Sequence, residues 1–169
     1  VTKQDLPNIV QDYVSKNQMA VMERKLLMEV YAMPVDIENE IGDPGVTEFR
    51  QEQLRAAKII RESIAQDPSQ VVCEYEIHNL KPVDFNKINY CCPDIFDKLS
   101  KTVYRVMGKI HEKKIPRQKD EIQKEVLEGN GYKVIDFWYY DMPNLFARNR
   151  TSKRNRLASR EVIEKIRSV

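Results

Sequence analysis

Apolar residues recur at intervals of three and four along most of this chain, and only two short stretches alternate strictly. Residues 4–33 read as one helix, or two with a bend, with Ile9, Val10, Tyr13 and Val14 on one face and Met22, Leu26 and Val30 continuing it. Asp5 can cap it, Pro7 suits a first turn and Pro34 stops it. A connector follows, closing in the turn signal Gly42-Asp43-Pro44-Gly45. Thr47 opens a second helix, predicted to about Gln66, on Phe49, Leu54, Ala57, Ile60 and Ile64. Pro93 opens a third, predicted to about Lys113, on Ile95, Phe96, Leu99, Val103, Val106, Met107 and Ile110. Pro116 breaks the chain, and a shorter helix over residues 118–128 ends at Gly129-Asn130-Gly131. Ser159 can cap a last helix on Val162, Ile163 and Ile166.

The alternating stretches are Val71 to Ile77 and the β-branched, aromatic run Tyr132 to Tyr140, both expected as strands. Residues 142–157 carry no regular pattern and read as a basic loop or arm. Together these elements predict a helix-rich α+β fold, with several helices on a small sheet of two or three strands. No repeat or long linker interrupts residues 1–169, so one domain is expected. The alternative is a helical hairpin over 1–67 followed by an α+β unit over 68–169, with its basic C-terminal arm at 142–160.

Composition narrows the class. The apolar share of 41% allows a core, and 5 glycines in 169 residues argue against a sandwich or barrel built on glycine turns. No apolar run approaches the ~18 residues that span a bilayer, so no membrane-spanning segment is expected. Three cysteines, Cys73, Cys91 and Cys92, make a poor disulfide framework and read as reduced thiols of an intracellular protein. Cytoplasm, nucleus and mitochondrial matrix are equally open. The start at Val1 reads as a fragment or a processed form.

Charge changes the picture more. Residues 1–100 have 11 basic and 17 acidic residues, and residues 101–169 have 17 and 9, giving balances of −6 and +8. The excess is concentrated in Arg148, Arg150, Lys153, Arg154, Arg156 and Arg160, and no acidic residue occurs from Met142 through Arg160. Arginine suits planar, bidentate contact with phosphate. Ahead of this arm, Phe137 or Tyr139 could stack on unpaired bases, although a strand aromatic on both faces is equally the pattern of a packed core. The residues around Pro116 admit a helix-turn-helix, but Asp120, Glu121, Glu125 and Glu128 would repel phosphates.

Other chemistry is thinner. Cys73, His78, Cys91 and Cys92 offer ligands, but adjacent cysteines suit a closed zinc site poorly, so no metal or cofactor is expected. Glu74, Glu76 and His78 share one face of the expected strand and could form an acid–base cluster, but no nucleophile, Walker loop or HExxH accompanies them. No catalytic residue is assigned. Met22, Leu26, Leu27 and Val30 make the first helix apolar on more than one side, which demands burial in the core or against a partner.

The order of short helix, glycine-rich stop, Tyr132-Lys133-Val134-Ile135, aromatics and a final helix with Glu161-Val162-Ile163-Glu164-Lys165-Ile166 resembles the closing segment of RAP domains. The resemblance covers about 50 residues. It implies a restriction-endonuclease-like fold of the kind found in organellar RNA proteins. The paired carboxylates and lysine of an active nuclease core are not evident upstream.

The sequence therefore leads to an expectation of a non-catalytic nucleic-acid-binding protein, RNA or single strands favoured over duplex DNA, that contacts phosphates through the basic arm. The alternative is a structural or adaptor subunit of a larger protein or ribonucleoprotein assembly, docked through the first helix and the arm.

Overall fold

The segment expected as the third helix, residues 93–113, is instead the centre of a β-sheet. The computed structural model describes residues 35–84 and 87–169. The helix expected over 4–33, with the docking residues Met22, Leu26, Leu27 and Val30, lies outside the described residues. Residues 35–169 form one compact unit of the α+β class. It holds one sheet of four strands, where two or three were expected: β1 (Val71–Cys73), β2 (Ile95–Asp97), β3 (Thr102–Met107) and β4 (Lys133–Trp138), side by side in that order. The pairs β1–β2 and β2–β3 are antiparallel, and β4 runs parallel to β3, pairing Thr102 with Lys133 and Met107 with Trp138.

Every residue of β2 and β3 is buried. A strand covered on both faces loses its alternation, and a continuous apolar run then fits a helical spacing as readily as an extended one. The β-branched and aromatic residues Thr102, Val103, Tyr104 and Val106 decide for strand. The turn between β2 and β3 is held by Asp97 Oδ1, which accepts from Leu99 N at 3.1 Å, and by Lys101 in the left-handed region at φ 53°. Leu99 and Ile110, two members of the supposed helical face, are exposed.

Parallel strands need a crossover, supplied by α3 (Lys114–Gly129). Pro116 does not break this helix but sits in its first turn, where the missing N–H costs nothing. Gly131, at φ 87°, turns the chain into β4.

Helices cover both faces of the sheet. On one face lie α2 (Glu48–Ser63), α4 (Pro143–Phe146) and α5 (Ser152–Arg167), with Leu54, Ile60, Leu145 and Val162 meeting Val106 and Phe137. On the other, Val126 and Leu127 of α3 meet Phe96, Val103 and Val134, joined by Ile77 and Leu80. Phe137 is fully buried and stacks on Tyr104 (centroids 5.6 Å apart, 17° between planes). Burial of such a ring contributes roughly 1.5–3 kcal/mol.

The second helix forms as expected, with Thr47 Oγ1 accepting from Arg50 N, but Phe49 points outward and Ala56 takes the buried place. The connector before it contains a short helix, α1 (Ile37–Glu40), pinned by the buried Gln51 side chain, which accepts from Gly42 N and donates to the Glu40 and Asp43 carbonyls. The first strand is shorter than expected. It ends at Cys73 because Glu74 turns to φ 54°, and Ile77 keeps only an isolated bridge to Cys91. The last helix starts at Ser152, seven residues before the expected cap. Thr151 Oγ1 accepts from Arg154 N (3.1 Å), and Ala158 extends the buried stripe of Val162 by a turn. Residues 142–160 are therefore α4, a loop over 147–151 and the first half of α5. Among the described residues no helix is long and apolar enough to cross a membrane.

Candidate nucleic-acid interface

The early start of α5 arranges the basic arm. Counting three and four along the helix places Lys153, Arg156, Arg160, Glu164 and Arg167 on one stripe, opposite Ala158 and Val162, and all five are exposed. Arg148 is exposed just ahead of them. Within the described residues, none of Arg148, Lys153, Arg156, Arg160 and Arg167 has an ion-pair partner. The first turn of α5 contains no acidic residue.

Arg150 and Arg154 sit differently from the others. Arg150 donates through Nη1 to the carbonyls of Asn144 and Ala147, and through Nε and Nη2 to Asn155 Oδ1. Arg154 Nη1 donates to Asn149 O at 2.6 Å. These two side chains brace the 147–151 loop, with all three guanidinium nitrogens of Arg150 and one of Arg154 bonded to the protein itself. Arg150, with Arg55, Lys58 and Asn155, lines a cleft of about 210 Å³ between α2 and α5. Burial, then the charges of Arg55 and Arg154, press the Arg150 pKa below the usual arginine value. Glu62 also lines this cleft, 4.0 Å from Lys58, and Glu48 lies 4.0 Å from Arg55. Beside the cleft, burial pushes the Glu52 carboxyl up to about 7, the neighbouring charges of Arg55 and Arg148 pulling it down and that of Glu48 pushing it up.

The aromatic residues divide. Phe137, named for stacking, belongs to the core and offers no face to a ligand. Tyr139 is half-buried, edge-on to Phe146 at 6.5 Å, and its hydroxyl donates to Glu112 Oε1 at 3.0 Å. Trp138 and Tyr140 stack on each other at the end of β4, and Tyr140 is 58% exposed. Both belong to the aromatic run read from the sequence, although Phe137 and Tyr139 are the residues it names for stacking. No sequence signal marks where the strand ends, and hence which of its rings leave the core.

The remaining candidates are not assembled. A helix-turn-helix is excluded, because the residues before α3 form a hairpin and a single 3-10 turn over Lys109–Glu112. His111 Nδ1 lies 2.7 Å from Asp120 Oδ2. Glu74 leaves the strand at its turn and binds Arg50, whereas His78 meets Glu76 at 2.9 Å, so the three do not share a face. Cys73 and Cys91 are buried, and desolvation pushes both thiols up to about 12; Cys92 is exposed. Among the described residues no group of three or more His, Cys, Asp or Glu side chains is arranged to hold a metal. Asp94, at the head of β2, accepts from Val106 N at 2.8 Å, and burial pushes its carboxyl up to about 6.

The fold and this basic, aromatic-edged surface define a four-stranded mixed sheet with helices on both faces. No protein-family model, curated protein or solved structure matches the chain, and RAP domains are therefore not among the matches.

Proposed function

We propose that this chain is a non-catalytic nucleic-acid-binding protein, favouring RNA or other single strands, that holds phosphates on the exposed face of α5. The observation that carries this reading is the row Lys153, Arg156 and Arg160, with Arg148 ahead of it. These cations project to solvent and have no ion-pair partner among the described residues, Glu52 acting on Arg148 only as a neighbouring charge. Three cations on one helical face, with Arg148 in the loop just before it, suit a phosphate chain, whose displaced counterions supply much of the binding free energy. Arg150 and Arg154 act one step back, giving the loop the shape that presents Arg148.

The test is the salt dependence of binding to a labelled single-stranded RNA of mixed sequence. Four phosphate contacts on a single strand give a slope of about −3 in log K against log salt, a loss of roughly fifty-fold between about 50 and 200 mM. Absence of measurable binding at the lower concentration removes the reading.

A further inference from the structure

Trp138 follows Val134 and Asp136 on the face of β4 that α3 covers. That helix runs back along the strands. Its last turns, at Val126 and Leu127, cluster with Val103 and Val134 near the strand starts. Its middle, at the Asp120 carbonyl, accepts from Arg105 halfway along β3. The start of α3 therefore emerges where β3 and β4 end, at the level of Trp138. Three lysines mark that end: Lys109, Lys113 and Lys114 are exposed and have no ion-pair partner among the described residues.

The rings of Trp138 and Tyr140 lie 5.4 Å apart and within 22° of parallel, with Tyr140 open to solvent. Tyr139 braces them. It meets Tyr140 edge-on at 5.4 Å, touches Phe146 two residues before Arg148, and bonds Glu112 one residue before Lys113. Through Tyr139 the aromatic pair is joined on one side to Phe146, which precedes the cations beginning at Arg148, and on the other to Glu112, which lies among Lys109, Lys113 and Lys114 in the chain. A ring face flanked by cations on both sides suits an unpaired base whose neighbouring phosphates lie to either side. A duplex offers no free base face.

We infer that Trp138 and Tyr140 form a stacking ledge for unpaired bases of a single strand, whose phosphates pass from the α5 stripe to Lys109, Lys113 and Lys114. This rests on the nucleic-acid reading above and replaces Phe137 and Tyr139 as the stacking residues.

Trp138 is the only tryptophan in the chain, so its emission reports on the ledge directly. The full chain is titrated at low salt with an oligouridylate of about 12 nucleotides and with a duplex RNA of the same length, following tryptophan emission and the anisotropy of the labelled RNA. The oligouridylate is expected to quench Trp138, and the duplex is not. Tyr140→Ala lowers oligouridylate affinity by about tenfold with the salt slope unchanged, as loss of stacking should. Replacing Lys109, Lys113 and Lys114 by Gln reduces the slope by roughly 2. If the oligouridylate binds by anisotropy while Trp138 emission stays constant and Tyr140→Ala binds as tightly, the ledge is overturned and the basic-face reading stands. If neither RNA binds, both fall. Should Tyr140→Ala fail to fold, the emission of the unaltered chain still decides.

Discussion

Arg105 and Asp136 face each other across the parallel pair β3–β4 and are joined by a two-pronged ion pair, Nε to Oδ1 at 2.7 Å and Nη2 to Oδ2 at 2.8 Å. The third guanidinium nitrogen donates to the Asp120 carbonyl at 2.7 Å and to Gln123 Oε1 at 3.3 Å. One buried side chain therefore ties two strands to the crossover helix that connects them. Burial works most strongly against the charge, but the bond to Asp136 and the charges of Asp136 and Asp120 together outweigh it, and the Arg105 pKa stands above the usual arginine value. The planar fork of arginine fits this arrangement, and lysine would not reproduce it.

Removing one partner leaves the other charged and buried. Asp136→Asn is expected to destabilise the fold by about 3–5 kcal/mol in urea unfolding. The double replacement Arg105→Met with Asp136→Leu should cost less than either single change, because no charge is stranded. Equal or additive losses would show that the pair acts only through packing.

Asp94 makes stability depend on pH in an unusual direction for a carboxylate. Its folded pKa of about 6 lies above the ordinary value of 3.8. Between those values the folded chain retains a proton that the unfolded chain has released, so this group's contribution falls as pH rises through the window and stays low above it. Asp94→Asn can still accept from Val106 N. It is expected to flatten the slope between about pH 4 and 6 and to raise stability at pH 8 by on the order of 2 kcal/mol. Melting temperatures across that range decide the point, and a variant that keeps the parent's slope contradicts it.

Glu52 has its effect on binding. With its carboxyl held at about 7 and Arg148 among its neighbours, it is largely neutral at pH 6 and charged at pH 8. Single-strand affinity should therefore fall roughly two- to fivefold over that interval, the worth of one solvent-screened charge pair. Glu52→Gln should show no such fall when the same anisotropy titration is repeated at both pH values.

The basic residues separate into two roles that mutagenesis can distinguish. Arg156→Glu with Arg160→Glu should reduce affinity and the salt slope while shifting unfolding by no more than about 0.5 kcal/mol, since both side chains are exposed. Arg150→Lys keeps the charge but loses the fork that bonds two carbonyls and Asn155. Its expected signature is a loss of about 1–3 kcal/mol in stability with the salt slope retained. The opposite pattern in either variant would reverse the assignment.

Much of this architecture was legible where one face of an element is wet. The α2 helix, the β4 strand and the glycine stop at Gly131 follow directly from their patterns. Residues 93–107 were not legible, because both faces of β2 and β3 are covered and period then carries no information. The strand breaks at Cys73 and Trp138 depend on backbone turns that composition does not mark. At the surface, the charge of residues 148–160 was readable, but the division between Arg150, which shapes the loop, and Arg156, which faces solvent, depends on where α5 begins. That start was set by Thr151 and Ala158 rather than by Ser159.

The first turns of α5 bring Lys153, Arg154 and Arg156 to the end of the helix where the peptide dipoles already concentrate positive charge. The free helix is thus electrostatically self-opposed at its entrance and held there by the Thr151 cap, the Arg150–Asn155 and Arg154–Asn149 bonds and the Ala158 contact. An adsorbed phosphate chain would neutralise this opposition as well as the side chains, coupling ligand capture to local helix order. Backbone amides of residues 154–158 should then exchange more slowly with solvent deuterium in the complex than in the free protein.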